Sequence, residues 1–520
     1  MPQPASRWHA RLPVAFAISC AFPAYADTTL REVVVTAPAM EAPLTVSTDP
    51  RAPRQPVPAH DGADYLKNIP GFSVIRKGGT DGDPVFRGMA ASRLGILLDG
   101  EMILGGCGMR MDPPTAYVFP EAFDRITVLK GPQTVKYGPG NSAGVVLFER
   151  TPKVRKAFSA YAEGSLLAGS FGRNDQVLEA GVGNERYYGE ITGTHSHSQD
   201  YKDGAGRQVH SRYDRWSVSG AVGLTPDENT RIELSFAKSD GYAAYADRSM
   251  DRTAFDRTNV GLKFEKSRIS PLLAKLEGQI YRNYVDHVMD NYSLRTATGM
   301  KMVSNPDRET KGGRIAATLD LSPRSTLETG IDFQTNDHTL RKASGTAVAS
   351  YDGLVRSPDM RFNTWGVFGE LTHELNAAHR LIGGARLDWS EAEDQRSGKS
   401  TSGRSDKDTL KAGFLRWENA FTPTTTLYAG LGHSERAADY WERTKAPGAT
   451  STMMTGTAST FFLKPEKTTQ LDTGVIYAAG PLRTSASLFY ARHKDFIQIR
   501  QINAFATDAL NIDATTYGLE

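Results

Sequence analysis

From about Lys156 onward, polar and apolar positions alternate in segments of roughly ten residues, the two-residue period of strands whose faces meet different surroundings. In the seventh segment Lys275, Glu277, Gln279, Tyr281 and Asn283 share one face, while Ala274, Leu276, Gly278 and Ile280 share the other. The connections alternate as well. Tight links stand at Asn184-Glu185, Thr225-Pro226-Asp227, Ser270-Pro271, Ser322-Pro323, Asn376-Ala377, Thr422-Pro423 and Gly480-Pro481. Longer polar loops fall around 199–211, 241–257, 290–308, 339–360, 392–408 and 436–465. Short turns at one end and long loops at the other predict an antiparallel membrane β-barrel over 153–520, apolar toward lipid and polar toward its lumen. A soluble sandwich would need shorter, more even links and a buried apolar face. About 16 strands are counted in this way, the last being Asn511 to Glu520. Unpaired strand edges in lipid are prohibitively costly, so the pattern predicts that strands are missing from the C-terminus.

Composition agrees with such a chain. Charge is nearly balanced at +2 and the mean hydropathy is −0.42. A barrel that alternates lipid-facing and lumen-facing residues averages to a value that looks soluble. No apolar stretch of about 18 residues exists beyond the extreme N-terminus, which excludes spanning helices. Near-neutral charge gives no sign of a nucleic-acid partner. Residues 1–26 read as an export signal: Arg7 and Arg11, an apolar run from Leu12 to Phe22, then Ala24-Tyr25-Ala26 for cleavage. Lipidation at Cys20 is a weaker variant of the same export. Removing or alkylating Cys20 leaves Cys107 as a single thiol in an oxidising compartment, without an internal disulfide partner.

Residues 27–60 hold an extended β-branched run, Arg31 to Ala37, and a proline-rich stretch from Pro38 to Pro58 expected to be mobile. From 61 to 152 lies a compact unit of short strands and glycine turns. Several of its segments resemble the plug of TonB-dependent outer-membrane receptors. They are Val85-Phe86-Arg87-Gly88, Gly95-Ile96-Leu97-Leu98-Asp99-Gly100, and Asp124 to Pro132 continuing to Tyr137-Gly138 and Gly144-Val145-Val146. Leu463-Lys464-Pro465-Glu466-Lys467 is similar to usage in the barrels of the same family. Glu32, Val33, Val34, Val35, Thr36 and Ala37 resemble a TonB box, an extended strand able to pair with a sheet edge of the periplasmic partner TonB. The resemblance implies an α+β plug inside a 22-stranded barrel, lodged in the outer membrane of a Gram-negative bacterium. It implies a nutrient importer rather than an enzyme. On this reading Arg87 pairs with carboxylates where plug meets wall.

Substrate choice points to one loop. Cys107, Met109 and Met111 sit within Gly105-Gly106-Cys107-Gly108-Met109-Arg110-Met111-Asp112-Pro113-Pro114, directly after the Asp99-Gly100 turn. Thiolate and thioether are soft ligands that favour Cu(I) over hard cations. The complement is His287-Val288-Met289: both outer residues share the polar parity of the seventh strand, so both should point into the lumen near its outer end. A lone cysteine is more often a small buried hydrophobe. The methionine-bearing loop and the parity of the strand pair shift that balance. The Cys-x-x-x-Met plus His-x-Met pairing also resembles the OprC/NosA-type outer-membrane copper receptors. That resemblance implies copper as the transported ligand, Cu(I) favoured and Cu(II) admissible, held by Cys107, Met111, His287 and Met289. Met109 lies outside the matched pattern, as a structural residue or a transfer ligand. His195, His197, Met300, Met302, Met453-Met454 and His60, the last placed in the mobile N-terminal region, rank lower. Competing readings are a siderophore or cobalamin receptor of the same fold, a zinc importer, and a passive pore or adhesin.

Overall fold

The computed structural model describes residues 38–52, 57–447, 459–503 and 506–520. The export signal with Cys20, the TonB-box segment Glu32 to Ala37, and Met453-Met454 lie outside the described residues. Sixteen antiparallel strands, from Ser159–Ala168 to Thr507–Leu519, form one sheet in strict chain order. Every strand hydrogen-bonds to its sequence neighbours, which satisfies the backbone groups of the inner strands without lipid; among the described residues no pairing joins Ser159–Ala168 to Thr507–Leu519.

The two faces sort as the alternation predicts. In the seventh strand, Leu273–Asp290, Ile280 is exposed on the outside while Asn283, Val285, His287 and Met289 are buried inside. The same outward exposure holds for Leu234, Leu262, Ile315, Leu415 and Leu431, an apolar belt of the kind that faces lipid. The expected tight turns fall at the junctions of consecutive strands, except Thr225-Pro226-Asp227, which is the bulged end of the strand Tyr213–Asp227. The long loops do not all keep their expected length. Those placed at 290–308 and 339–360 shrink to 291–301 and 345–356, because strands reach 20 and 21 residues. Their outer ends continue as polar ladder beyond the lipid belt, where alternating hydrophobicity no longer marks a strand.

The plug is built on a five-stranded mixed sheet, ordered Thr45–Thr48, Arg125–Lys130, Gly144–Glu149, Leu94–Leu98, Glu101–Met102. Leu94–Leu98 and Gly144–Glu149 run parallel. A second, three-stranded sheet and the short helix Gly62–Leu66, capped by Asp61, complete it. Thr45–Thr48 corrects the reading of 38–58 as a mobile tether. These four residues pair with Ile126 to Leu129, and Val46 is fully buried. His60 is likewise not in a mobile region, since its ring lies 3.3 Å from Asp64 and stacks on Tyr213.

Arg87 behaves as expected: Nη1 donates to Asp472 Oδ1 at 2.7 Å and Nε to Glu520 Oε1 at 2.8 Å, both on the barrel wall. The Asp99-Gly100 turn takes positive φ at both residues (51° and 84°), the geometry that an Asp-Gly pair tolerates in a two-residue hairpin. That turn sends the chain from Glu101–Met102 upward into the cysteine-bearing loop.

Candidate functional site

Residues 103–113 form an irregular loop whose shape is set by Asp112. Its Oδ2 accepts from the Gly106 N–H at 2.7 Å and from the Tyr117 hydroxyl at 2.6 Å, and its Oδ1 accepts from the Cys107 N–H at 3.0 Å. Gly105 must be glycine here, because a Cβ would lie 2.0 Å from the Asp112 carbonyl oxygen. Pro113 and Pro114 then lead into the 3-10 turn Pro114–Tyr117.

Arg110 holds a left-handed φ of 54°, a strained position for a residue with a side chain. It is pinned from three directions. Its N–H donates to the Cys107 carbonyl at 2.9 Å, its guanidinium pairs with Asp83 at 2.6 Å, and Lys77 Nζ donates to its carbonyl. The Tyr245 hydroxyl, from the wall side, donates to the Met111 carbonyl at 2.8 Å. The loop is therefore held rigidly against the wall.

At that contact Cys107, Met111 and Met289 are buried in one cluster, with Tyr213, Ala243 and Tyr245 around them. The Cys107 thiol lies 3.4 Å from Met289 Sδ. His287 is fully buried one turn of the pleat below, and Nδ1 lies 3.5 Å from Asp112 Oδ2. Neither ring nitrogen has a hydrogen-bond partner. Ligand atoms from Cys107, Asp112 and His287 all lie within 4.8 Å of one another. Four ligands at bond lengths of about 2.0–2.3 Å around a tetrahedral ion sit roughly 3.3–3.8 Å apart, so the Cys107–Met289 separation is that of neighbouring ligands.

The electrostatics hold the proton on the Cys107 thiol. Burial, then the Asp112 charge, pushes the Cys107 thiol up to about 11, against weaker pulls from the Met111 and Met109 N–H groups. Burial would also raise Asp112. The His287 ring, the Tyr117 hydroxyl and the Gly106 and Cys107 N–H groups outweigh it and hold that carboxyl below its ordinary value. Beside Cys107 and Asp112 lies a cavity of about 20 Å³, lined also by Arg110, Arg308 and Tyr440.

Four residues singled out from the sequence, Cys107, Met111, His287 and Met289, thus meet at one place. Met109 does not join them: it is 50% exposed, with Sδ 3.8 Å from Lys445 Nζ. His195 and His197 both turn to Asp214, at 3.0 and 3.1 Å, in an ordinary polar contact. Asp112 was missed. In sequence an Asp before two prolines reads as a turn residue, and its distance of five from Cys107 was the available signal.

Comparison with known proteins gives the same frame. Residues 192–520 match the family described as "TonB dependent receptor-like, beta-barrel", and residues 38–145 match "TonB-dependent Receptor Plug Domain". A solved structure of the copper transporter OprC is 46% identical, with a TM-score of 0.88, over 94% of this chain and 77% of that one. The hemophore receptor HasR of Serratia marcescens, 15% identical with a TM-score of 0.71 over 92% of this chain and 78% of that one, shares the fold. The ferric enterobactin receptor of Pseudomonas aeruginosa is 22% identical over 74% of this chain, and the hemin receptor of Yersinia pestis 28% over 33%. The chain spans 57% and 29% of those two relatives' lengths. It belongs to the TonB-dependent receptor family, outer-membrane proteins of Gram-negative bacteria that are receptors and not enzymes.

Proposed function

We propose that this receptor imports copper, captured between the plug loop and the barrel wall by Cys107, Met111, His287 and Met289. One observation carries the reading. A fully buried imidazole with both nitrogens unpartnered faces a cysteine, two methionines and a carboxylate. An unsatisfied buried polar group is costly, and a cation binding there would remove that cost. Sulfur donors select the soft Cu(I), and the imidazole also accommodates Cu(II). The 46% identity to the copper transporter OprC favours the same cargo.

The ligand set is divided between two bodies, Cys107 and Met111 on the plug, His287 and Met289 on the wall. An enclosed sulfur-rich site releases slowly, so release needs work. TonB, pairing with Glu32 to Ala37 as an added strand, would supply it by pulling the plug loop from the wall. Elemental analysis of the purified full-length protein, beside Cys107→Ala, tests the cargo. About one copper per chain, lost in the variant, is expected; copper retained in the variant, or zinc or iron bound in its place, overturns the reading. Deleting 33–36 should leave copper bound but abolish uptake into cells, whereas a passive pore would be unaffected.

A further inference from the structure

We infer that Asp112 is a positioning residue: without touching the ion, it presets the cysteine loop and holds His287 Nδ1 as a donor, leaving Nε2 to bind the metal. The inference rests on the metal-site reading above and adds a role and an orientation to it.

The first argument is acceptor capacity. A carboxylate offers about four lone-pair sites. Three are already taken by the Gly106 N–H, the Cys107 N–H and the Tyr117 hydroxyl, at 2.7, 3.0 and 2.6 Å. Direct ligation would have to use the single site that remains, the same one that a bond from the His287 ring would fill. A hard oxygen would also be the poorest partner for a soft ion among sulfurs and an imidazole.

The second argument is the ring. Nδ1 stands 3.5 Å from Asp112 Oδ2, just beyond a hydrogen bond, in a pocket where neither ring nitrogen has another partner. Oδ2 already accepts from Gly106 and Tyr117, so the open site is on Oδ1, and a small shift of the ring toward the carboxylate makes an ordinary N–H···O⁻ bond there. With the Nδ1 proton donated there, the free lone pair is on Nε2. Metal-bound histidines commonly donate their other nitrogen to a carboxylate, which fixes the tautomer and raises ligand basicity. Here the same carboxylate also anchors the backbone of the cysteine ligand. One side chain therefore sets the relative placement of donors from plug and wall.

The test begins with a metal-loaded structure of the unaltered full-length chain, prepared with Cu(I) alone. Copper bonded to His287 Nε2, with Nδ1 within about 2.9 Å of Asp112 and no copper–oxygen bond, is expected. Copper bonded through Nδ1, or to an Asp112 oxygen, overturns the positioning role while leaving the copper reading intact. No copper near Cys107 overturns both. In solution, Asp112→Asn should weaken copper about 10- to 100-fold with the sulfur and nitrogen ligands still present by X-ray absorption. With Cu(II), pulsed electron paramagnetic resonance should show a changed coupling to the remote ring nitrogen in Asp112→Asn. Tyr117→Phe, which removes a neighbouring hydrogen bond to the same carboxylate, should leave that coupling at its original value. An unchanged coupling in Asp112→Asn overturns the proposal.

Discussion

Around Arg93 the plug meets the barrel with its charges answered: Nη2 pairs with Glu466 at 2.7 Å, and Arg436 bridges Glu466 and Glu442 at 3.2 and 2.8 Å. Around Cys107 the plug meets the barrel with no such set of charge pairs: the thiol lies 3.4 Å from Met289 Sδ, and the His287 ring stands 3.5 Å from Asp112 with no hydrogen bond at either nitrogen. Both contacts are buried, and both join residues far apart in sequence. Their difference lies in chemistry. The first sets each charge against an opposite one within the protein. On the copper reading, the second is completed by a cation. Burial alone therefore does not mark a binding site in this lumen.

Exchanging the roles of the two contacts gives the largest effects. Cys107→Ala removes the one donor that becomes anionic, and copper affinity should fall by more than the roughly 100-fold typical of losing a supporting residue. The unfolding midpoint of the metal-free protein should barely move; a collapse of the fold would assign Cys107 to packing. Glu466→Ala should do the reverse. It strands the buried Arg93 guanidinium, while Arg436 keeps Glu442, and should cost about 3–5 kcal/mol in denaturant unfolding. Copper stoichiometry should stay near that of the unaltered chain.

A smaller effect separates the contacts by pH. The Cys107 thiol, pushed up to about 11, is protonated in the free site at neutral pH. Metal binding as thiolate must expel that proton. Apparent copper affinity should then rise about tenfold per pH unit between pH 6 and 9, with about one proton released per ion. Calorimetry in buffers of differing ionisation enthalpy reads the proton directly. A flat profile would mean that the sulfur binds as a neutral thiol, or not at all.

How much of this was legible in the sequence follows from what each signal depends on. Parity along 273–290 depends only on the two-residue period, and it placed His287 and Met289 inside correctly. Strand length depends on the ladder beyond lipid, where composition carries no signal, so the outer loops were drawn too long. Thr45–Thr48 was missed because four residues between prolines show no usable period; pairing with Ile126 to Leu129 makes them a strand. Asp112 was missed for a related reason. Its role comes from backbone N–H groups at 106 and 107, which no side-chain pattern records.

The least effect is expected at Met109, and it tests how sharply the two contacts are bounded. Met109 shares the loop and the sulfur chemistry of Met111, so a reading by composition alone would count it as a ligand. Its side chain instead points away, half exposed beside Lys445, while its N–H donates to Cys107 Sγ at 3.3 Å. A backbone contribution survives substitution. Met109→Ala should thus leave equilibrium copper affinity within about twofold, the level of an ordinary surface change, whereas Met111→Ala should lower it clearly. Competition titration of both variants against one chelator decides the matter. Equal losses at the two positions would mean that the loop turns over on binding, and that the contact seen around Cys107 is a resting arrangement and not the one that holds the ion.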